Sequence, residues 1–221
     1  MYHPHLTKEK YIINMQKAYK TLKQEGQGEF LVSRSRFIGN AKPVSSEKDA
    51  LAYIEKTSKS HWDANHNSWA YVLRSGRERY SDDGEPQGTA GMPILDLIRK
   101  QVLCDLVVVV TRYFGGVKLG TGGLVRSYTQ GARVAIDAGK IIERKPYISF
   151  DIETEYAQVG KFQREFERRA YLLKKTNYEE KVILTVLIPP EEKESLRDLV
   201  AEFTAGQGVL FEGQEEFVEV L

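Results

Sequence analysis

Leu106-Val-Val-Val-Val110, running into RYFGGVKLGTGGLVR at 112–126, is the stretch on which the fold turns. The unbroken β-branched run reads as a buried strand over 106–113, too short for a helix of core length. Beyond it, Val125, Tyr128, Ala132, Ala135 and Ile136 recur at helical spacing, which predicts a helix over 123–138 with Gly139 at its C-cap. Between strand and helix lie Gly115, Gly116, Gly120, Gly122 and Gly123. Such a backbone can take positive φ and lets another group approach closely. A glycine-rich turn opening onto a helix N-terminus also presents unpaired N–H groups and the positive end of a dipole. Arg112, Lys118 and Arg126 add formal charge around it. The glycines fit a tight strand-to-helix connection and fit an anion-binding loop; the three cations favour binding. The candidate nucleic-acid or anion site is therefore Arg112, Tyr113, Phe114, Gly115, Gly116, Lys118, Gly120, Gly122, Gly123 and Arg126; a second reading pairs Arg112 with Asp82, Asp83 or Glu85 inside the fold. The loop lacks the Gly-Lys-[Ser/Thr] ending of a Walker A. Its glycine spacing is wrong for a dinucleotide fingerprint, and no acidic residue stands about 20 positions on at a strand end.

Working upstream, Gly91, Ile94, Leu95, Ile98 and Val102 mark a helix with Pro93 in its first turn, where a missing N–H is harmless. Glu78–Ser81 and Ser68–Leu73 read as strands joined through Ser75-Gly76, and Asp82-Asp-Gly-Glu-Pro86 as loop. Ser46-Glu-Lys-Asp49 resembles a capping box opening a helix to about Lys59, and Glu29–Lys42 two strands bent near Ser33–Ser35. Residues 1–26 are polar and Lys-rich, and read as an N-terminal extension, poorly ordered over 1–14. Downstream, Ile148, Phe150 and Ile152 alternate as a half-buried strand, and Val159, Phe162 and Phe166 form a helical stripe. A strand follows near Tyr171–Thr176. Val182–Ile188 suits a central strand, Leu196–Phe203 an amphipathic helix, and Phe217–Val220 a last strand. The order βαββαβ over 146–221 is the ferredoxin-like plan. The expected class is α+β, with an extension over 1–26, one domain over 27–143 and a second over 146–221.

The chain of 221 residues carries a formal charge of +1, but unevenly. Residues 1–143 hold 21 Lys and Arg against 15 Asp and Glu, and residues 144–221 hold 11 against 16. The first part is thus basic, which points to an anionic partner there. A single cysteine, Cys104, excludes an internal disulfide and reads as a small buried hydrophobe in a reducing compartment. No apolar run approaches the roughly 18–20 residues of a membrane span, and the first residues show no signal-peptide core, so a cytoplasmic setting and no membrane are expected.

Other chemistry-bearing residues cluster between 61 and 85. His61 and His66 flank Asp63 but lack the i, i+4 spacing of zinc ligands, and no metal is expected. They read as hydrogen-bonding residues at the mouth of a cleft. Asp82, Asp83 and Glu85 form a carboxylate group that reads as an acidic turn or as a site for Mg²⁺ or acid–base chemistry. Trp62, Trp69, Tyr71, Tyr80, Tyr113, Phe114 and Tyr128 interleave with Arg74, Arg77, Arg79 and Arg112, a mixture suited to RNA bases and phosphates; Tyr113 and Phe114, beside glycines, are the expected exposed pair. There is no G-x-S-x-G and no serine with an obvious local base, and no catalytic residue or cofactor is assigned.

These residues carry a resemblance. GMPILDLIRKQVLCDLVVVVTRYFGGVKLG, residues 91–120, resembles the signature of the IMPACT family, the bacterial YigZ-like proteins: Gly, paired and spaced aliphatics, Arg, two aromatics, Gly-Gly, two residues, aliphatic, Gly. SRFIG (35–39), HWDANHNSWAY (61–71) and SDDGEPQGTAG (81–91) are similar to the family too. The likeness spans about 28–143, and 146–221 resembles the usual C-terminal domain of the bacterial members. It implies a first domain like the second domain of ribosomal protein S-five, which is also domain four of elongation factor G, and a second like that factor's fifth domain. Eukaryotic relatives are associated with translational control through a stress kinase. They carry a different N-terminal partner-binding domain, and that regulatory role is not transferred. An old dipeptidase label finds no metal-ligand set, and the family supplies no catalytic residues to carry over.

The expectation is a cytoplasmic binding module acting in translation on RNA or the ribosome, with a protein of the translation machinery as a further partner. Two rivals stay open. One is an enzyme on a phosphorylated small molecule, with Asp82, Asp83 and Glu85 around Mg²⁺ and His66 assisting. The other is a regulator binding protein alone.

Overall fold

The computed structural model describes residues 18–220. They pack as two units, one ending at Arg144 and one spanning Lys145–Glu219. Both mix helix and sheet, and five α-helices occur among the described residues.

The first unit is built on β2 (Gly26–Val32), β3 (Ser35–Pro43), β4 (His66–Val72), β5 (Glu78–Ser81) and β6 (Leu106–Tyr113). Preceding them, β1 (Tyr19–Leu22) pairs antiparallel with Ile141–Arg144. The sheet order is β2-β3-β6-β4-β5, antiparallel throughout. Strand β6 is central, and helices cover both its faces. On one face α1 (Glu47–Ser60) sets Ala50, Tyr53 and Ile54 against Val107 and Val109. On the other lie α2 (Gly91–Lys100) and α3 (Gly120–Gly139), with Gly131 seated over Val110. Two-sided cover explains why β6 is continuously apolar although its neighbours are antiparallel.

Helix α3 lies close on β2 and β3 because both surfaces lack side chains where they meet. A Cβ on Gly39 would stand 1.9 Å from the Gly131 carbonyl oxygen, and one on Gly26 2.2 Å from the Gly139 nitrogen. Gly139 therefore serves close packing and is the last helical residue. The left-handed residue that ends the helix is Lys140, φ 58°, so the cap expected at Gly139 falls one residue later. Helix α1 starts as its capping residues predict, with Ser46 Oγ accepting from Asp49 N at 3.1 Å.

The expected extension over 1–14 lies outside the described residues. Part of the stretch read as extension is structured, since Tyr19 and Leu22 are buried core. Four residues are too few to show an alternation, so the polar residues around them hid the strand.

The second unit takes up β7 (Ile141–Thr154) from Lys145 onward, and continues with α4 (Val159–Arg168), β8 (Leu172–Tyr178), β9 (Val182–Ile188), α5 (Lys193–Thr204) and β10 (Val209–Val220). Its order is βαββαβ, with strands arranged β10-β7-β9-β8. Ile148, Phe150, Ile152, Leu184 and Val186 share a core with Phe162 and Phe166 of α4 and Leu196 and Leu199 of α5. Both helices therefore cover one face. Ile183 and Thr185 face the other way and are half-buried, and Leu187 on the same face is buried, so β9 is central with only part of its second face covered.

Candidate functional site

The sheet register gathers four connections at one end of the first unit. His66 pairs with Arg112, and Arg36 with Tyr113. That end therefore carries the β2–β3 turn at Ser33-Arg34, the loop 61–65, the loop 82–90 and the glycine loop 114–119. Ser33 and Arg34 both take positive φ, 46° and 65°.

Beneath these loops lies a buried charged group. Arg112 is 6% exposed and Glu85 7%. Arg112 Nη1 donates to Glu85 Oε1 at 2.7 Å, and the Tyr128 hydroxyl donates to the same oxygen at 2.7 Å. Burial first, then the Glu85 carboxylate, pushes the Tyr128 hydroxyl well above a tyrosine's usual range, so it stays a donor. The guanidinium stands 5.6 Å from the Phe37 ring centroid and 5.3 Å from that of Phe114. Its Nε is buried with no hydrogen-bond partner among the described residues. His66 Nδ1 donates to the Asp83 carbonyl oxygen at 2.7 Å, leaving Nε2 3.9 Å from Glu85.

This arrangement corrects the expectation for Arg112. It is not a surface cation awaiting phosphate. It sits at the last of seven buried positions of a central strand, and a charge there needs a buried partner, which Glu85 supplies. The carboxylates likewise do not converge. Asp82 Oδ1 accepts from Ala90 N and Gly91 N at 3.1 and 2.8 Å, and Oδ2 from Gly88 N at 2.8 Å, which caps α2. Asp83 Oδ2 accepts from Asn67 N at 2.6 Å. Each acid is engaged with its own partner, and among the described residues no group of three or more His, Cys, Asp or Glu is placed to hold a metal. His61 also belongs to this end, with Nδ1 3.0 Å from the Tyr113 hydroxyl, which donates to Asp63 Oδ1 at 3.1 Å. Burial, then that aspartate, raises the Tyr113 hydroxyl above its usual range. Tyr113 is thus a half-buried strut, not an exposed stacking ring.

The glycine loop proves heterogeneous. Gly116 and Gly120 take positive φ, 83° and 69°, with open space around them. Gly115 instead lets the loop meet the Arg34 carbonyl, 2.0 Å from where a Cβ would stand. Gly122 and Gly123 lie in the first turn of α3, which begins three residues earlier than the periodicity implied. The N-cap residue of that helix, Leu119, makes no side-chain cap hydrogen bond, and Gly120, Thr121 and Gly122 are exposed. Lys118 and Arg126 are exposed beside it.

Arg34, Trp62 and Val117 complete this surface, and of these sequence reasoning singled out none as exposed. Trp62 is 83% exposed and Phe114 44%. The available signal was the run His-Trp-Asp-Ala-Asn, a tryptophan among turn-forming residues with no strand alternation. No helix among the described residues is long and apolar enough to cross a membrane.

Residues 33–136 match the model of the Impact N-terminal domain, and 152–207 that of a Domain of unknown function (DUF1949). The chain is 36% identical over 204 residues to IMPACT family member YvyE of Bacillus subtilis (strain 168), covering 91% of this chain and 94% of that one. It is 30% identical over 179 residues to IMPACT family member YigZ of Escherichia coli (strain K12), covering 79% and 88%. A crystal structure described as that of a hypothetical protein superposes with a TM-score of 0.59 at 27% identity, over 90% of this chain and 99% of that one.

Proposed function

The chain belongs to the IMPACT family, and on that footing we propose that it is a cytoplasmic RNA- or ribosome-binding protein acting in translation. In this reading the first unit has the fold of the second domain of ribosomal protein S-five and domain four of elongation factor G, and it does the contacting. The second has the ferredoxin-like fold of that factor's fifth domain, and orients the first or meets a protein.

One observation carries the reading. Four loops converge on an end that exposes aromatic rings, the three cations Arg34, Lys118 and Arg126, and a helix N-terminus that its own N-cap residue leaves open, and no acidic residue occurs between Asp105 and Asp137. An open helix start and flanking cations favour phosphate. The enzyme alternative loses support from the same geometry, since Asp82, Asp83 and Glu85 are each committed to protein partners.

The test is the salt dependence of binding to a structured RNA. Lys118→Ala and Arg126→Ala should each weaken binding and lower the log–log salt slope by about 0.7–0.9. Folded variants with native affinity and slope would overturn the reading and leave the loop a structural turn.

A further inference from the structure

We infer that this end recognises unpaired RNA bases by stacking, with Trp62 and Phe114 as the two platforms; the inference rests on the RNA-binding reading above and names what that site takes.

Trp62 is the most exposed large hydrophobic side chain among the described residues. Its backbone is nevertheless pinned on both sides. His61 and Asp63 meet the Tyr113 hydroxyl at 3.0 and 3.1 Å. Ala64 N donates to the His61 carbonyl at 3.0 Å, closing a turn around the indole. Asn65 N donates to the Arg112 carbonyl at 3.0 Å, and Asn65 Oδ1 accepts from Phe114 N at 2.7 Å. That last bond joins the segment bearing Trp62 to the segment bearing Phe114. The protein therefore fixes the main chain around a large ring while leaving the ring in water, an arrangement with no gain for folding. Phe114 is held from behind by the Arg112 guanidinium, itself fixed by Glu85. The main chain under both platforms is fixed before any ligand arrives, so the ordering left to binding is that of the side chains.

The surroundings select the ligand. Arg34, Lys118 and Arg126 are exposed on the connections at this end. Asp63, the acid between His61 and the loop, is occupied by Tyr113. Rings among cations suit a chain that alternates π-faces with phosphates. In a duplex the base faces are stacked on one another, so only unpaired nucleotides, in single strands or in loops, can use the rings.

The chain has two tryptophans, which gives a direct readout. Trp69 stacks on Tyr71, centroids 6.0 Å apart, at the edge of a hydrophobic cluster. Trp69→Phe leaves Trp62 as the reporter. A uridylate oligomer of about 12 nucleotides should quench the Trp62 emission, and a duplex of the same length should not. In the otherwise native chain, Trp62→Ala and Phe114→Ala should each weaken oligomer binding by about tenfold or more. They should leave the salt slope unchanged, unlike Lys118→Ala. If the oligomer binds with Trp62 emission unchanged and Trp62→Ala binds as the native chain does, stacking is overturned while RNA binding stands. Equal quenching by the duplex overturns base recognition. If neither RNA binds, the RNA reading falls and this inference falls with it.

Discussion

At the scale of single residues, the Arg112–Glu85 pair is the feature on which the site depends. The glycine loop begins at the end of β6, and Phe114 rests on the Arg112 guanidinium, so a shift of Arg112 moves the proposed binding surface. Removing one partner of a buried pair strands the other charge in a low-dielectric setting. Glu85→Gln should therefore lower the stability of the first unit by about 3 kcal/mol in denaturant titration. Glu85→Gln combined with Arg112→Met should recover most of that loss. A cost below about 1 kcal/mol, the range of exposed pairs, would show that water reaches the pair. The sequence left two readings of Arg112 open, a phosphate contact or a partner for Asp82, Asp83 or Glu85 inside the fold, and the second is the one observed. Arg112 and Glu85 stand 27 positions apart, and a cation beside glycines looks the same whether it turns inward or outward. Cys104 was easier, because an apolar setting speaks for itself: it is fully buried, and burial pushes its thiol up to about 12.

At the scale of elements, what could be read followed the periodicity. The runs at 78–81 and 106–113 gave strands with their observed bounds, because tertiary packing and local preference agree there. Glycine was the poorly legible residue. One letter stands for two requirements, and only Gly116 and Gly120 in the loop need a left-handed backbone. Gly39 and Gly131 serve close approach, and that reason is invisible in sequence because the approaching partner is remote. Gly39→Ala forces a methyl onto the Gly131 carbonyl and must push α3 off the sheet. It should cost about 2–3 kcal/mol, as overpacking does. Gly160→Ala, in α4 with nothing near the added carbon, should instead stabilise by about 0.5–1 kcal/mol through helix propensity. Chemical denaturation of both variants tests the pair of expectations. A harmless Gly39→Ala would show that α3 is free to move.

At the scale of the whole molecule, charge and topology divide along the chain. The basic excess lies in residues 1–143, and the residues after them are acidic. That difference was legible from a count, as was the βαββαβ order of the second unit from alternation and helical stripes. The assembly of the candidate site was not. Its parts come from 33–36, 61–66, 82–90 and 112–126, and only the antiparallel pairing of β3, β6 and β4 brings them to one end. In the proposed function, this end is where the protein meets RNA. Ultraviolet cross-linking in cells, followed by identification of the peptides that carry nucleotide adducts, tests it most directly. Adducts are expected on the peptides containing Trp62 and Phe114–Lys118. Adducts confined to residues 145–219, or none above background, would contradict it.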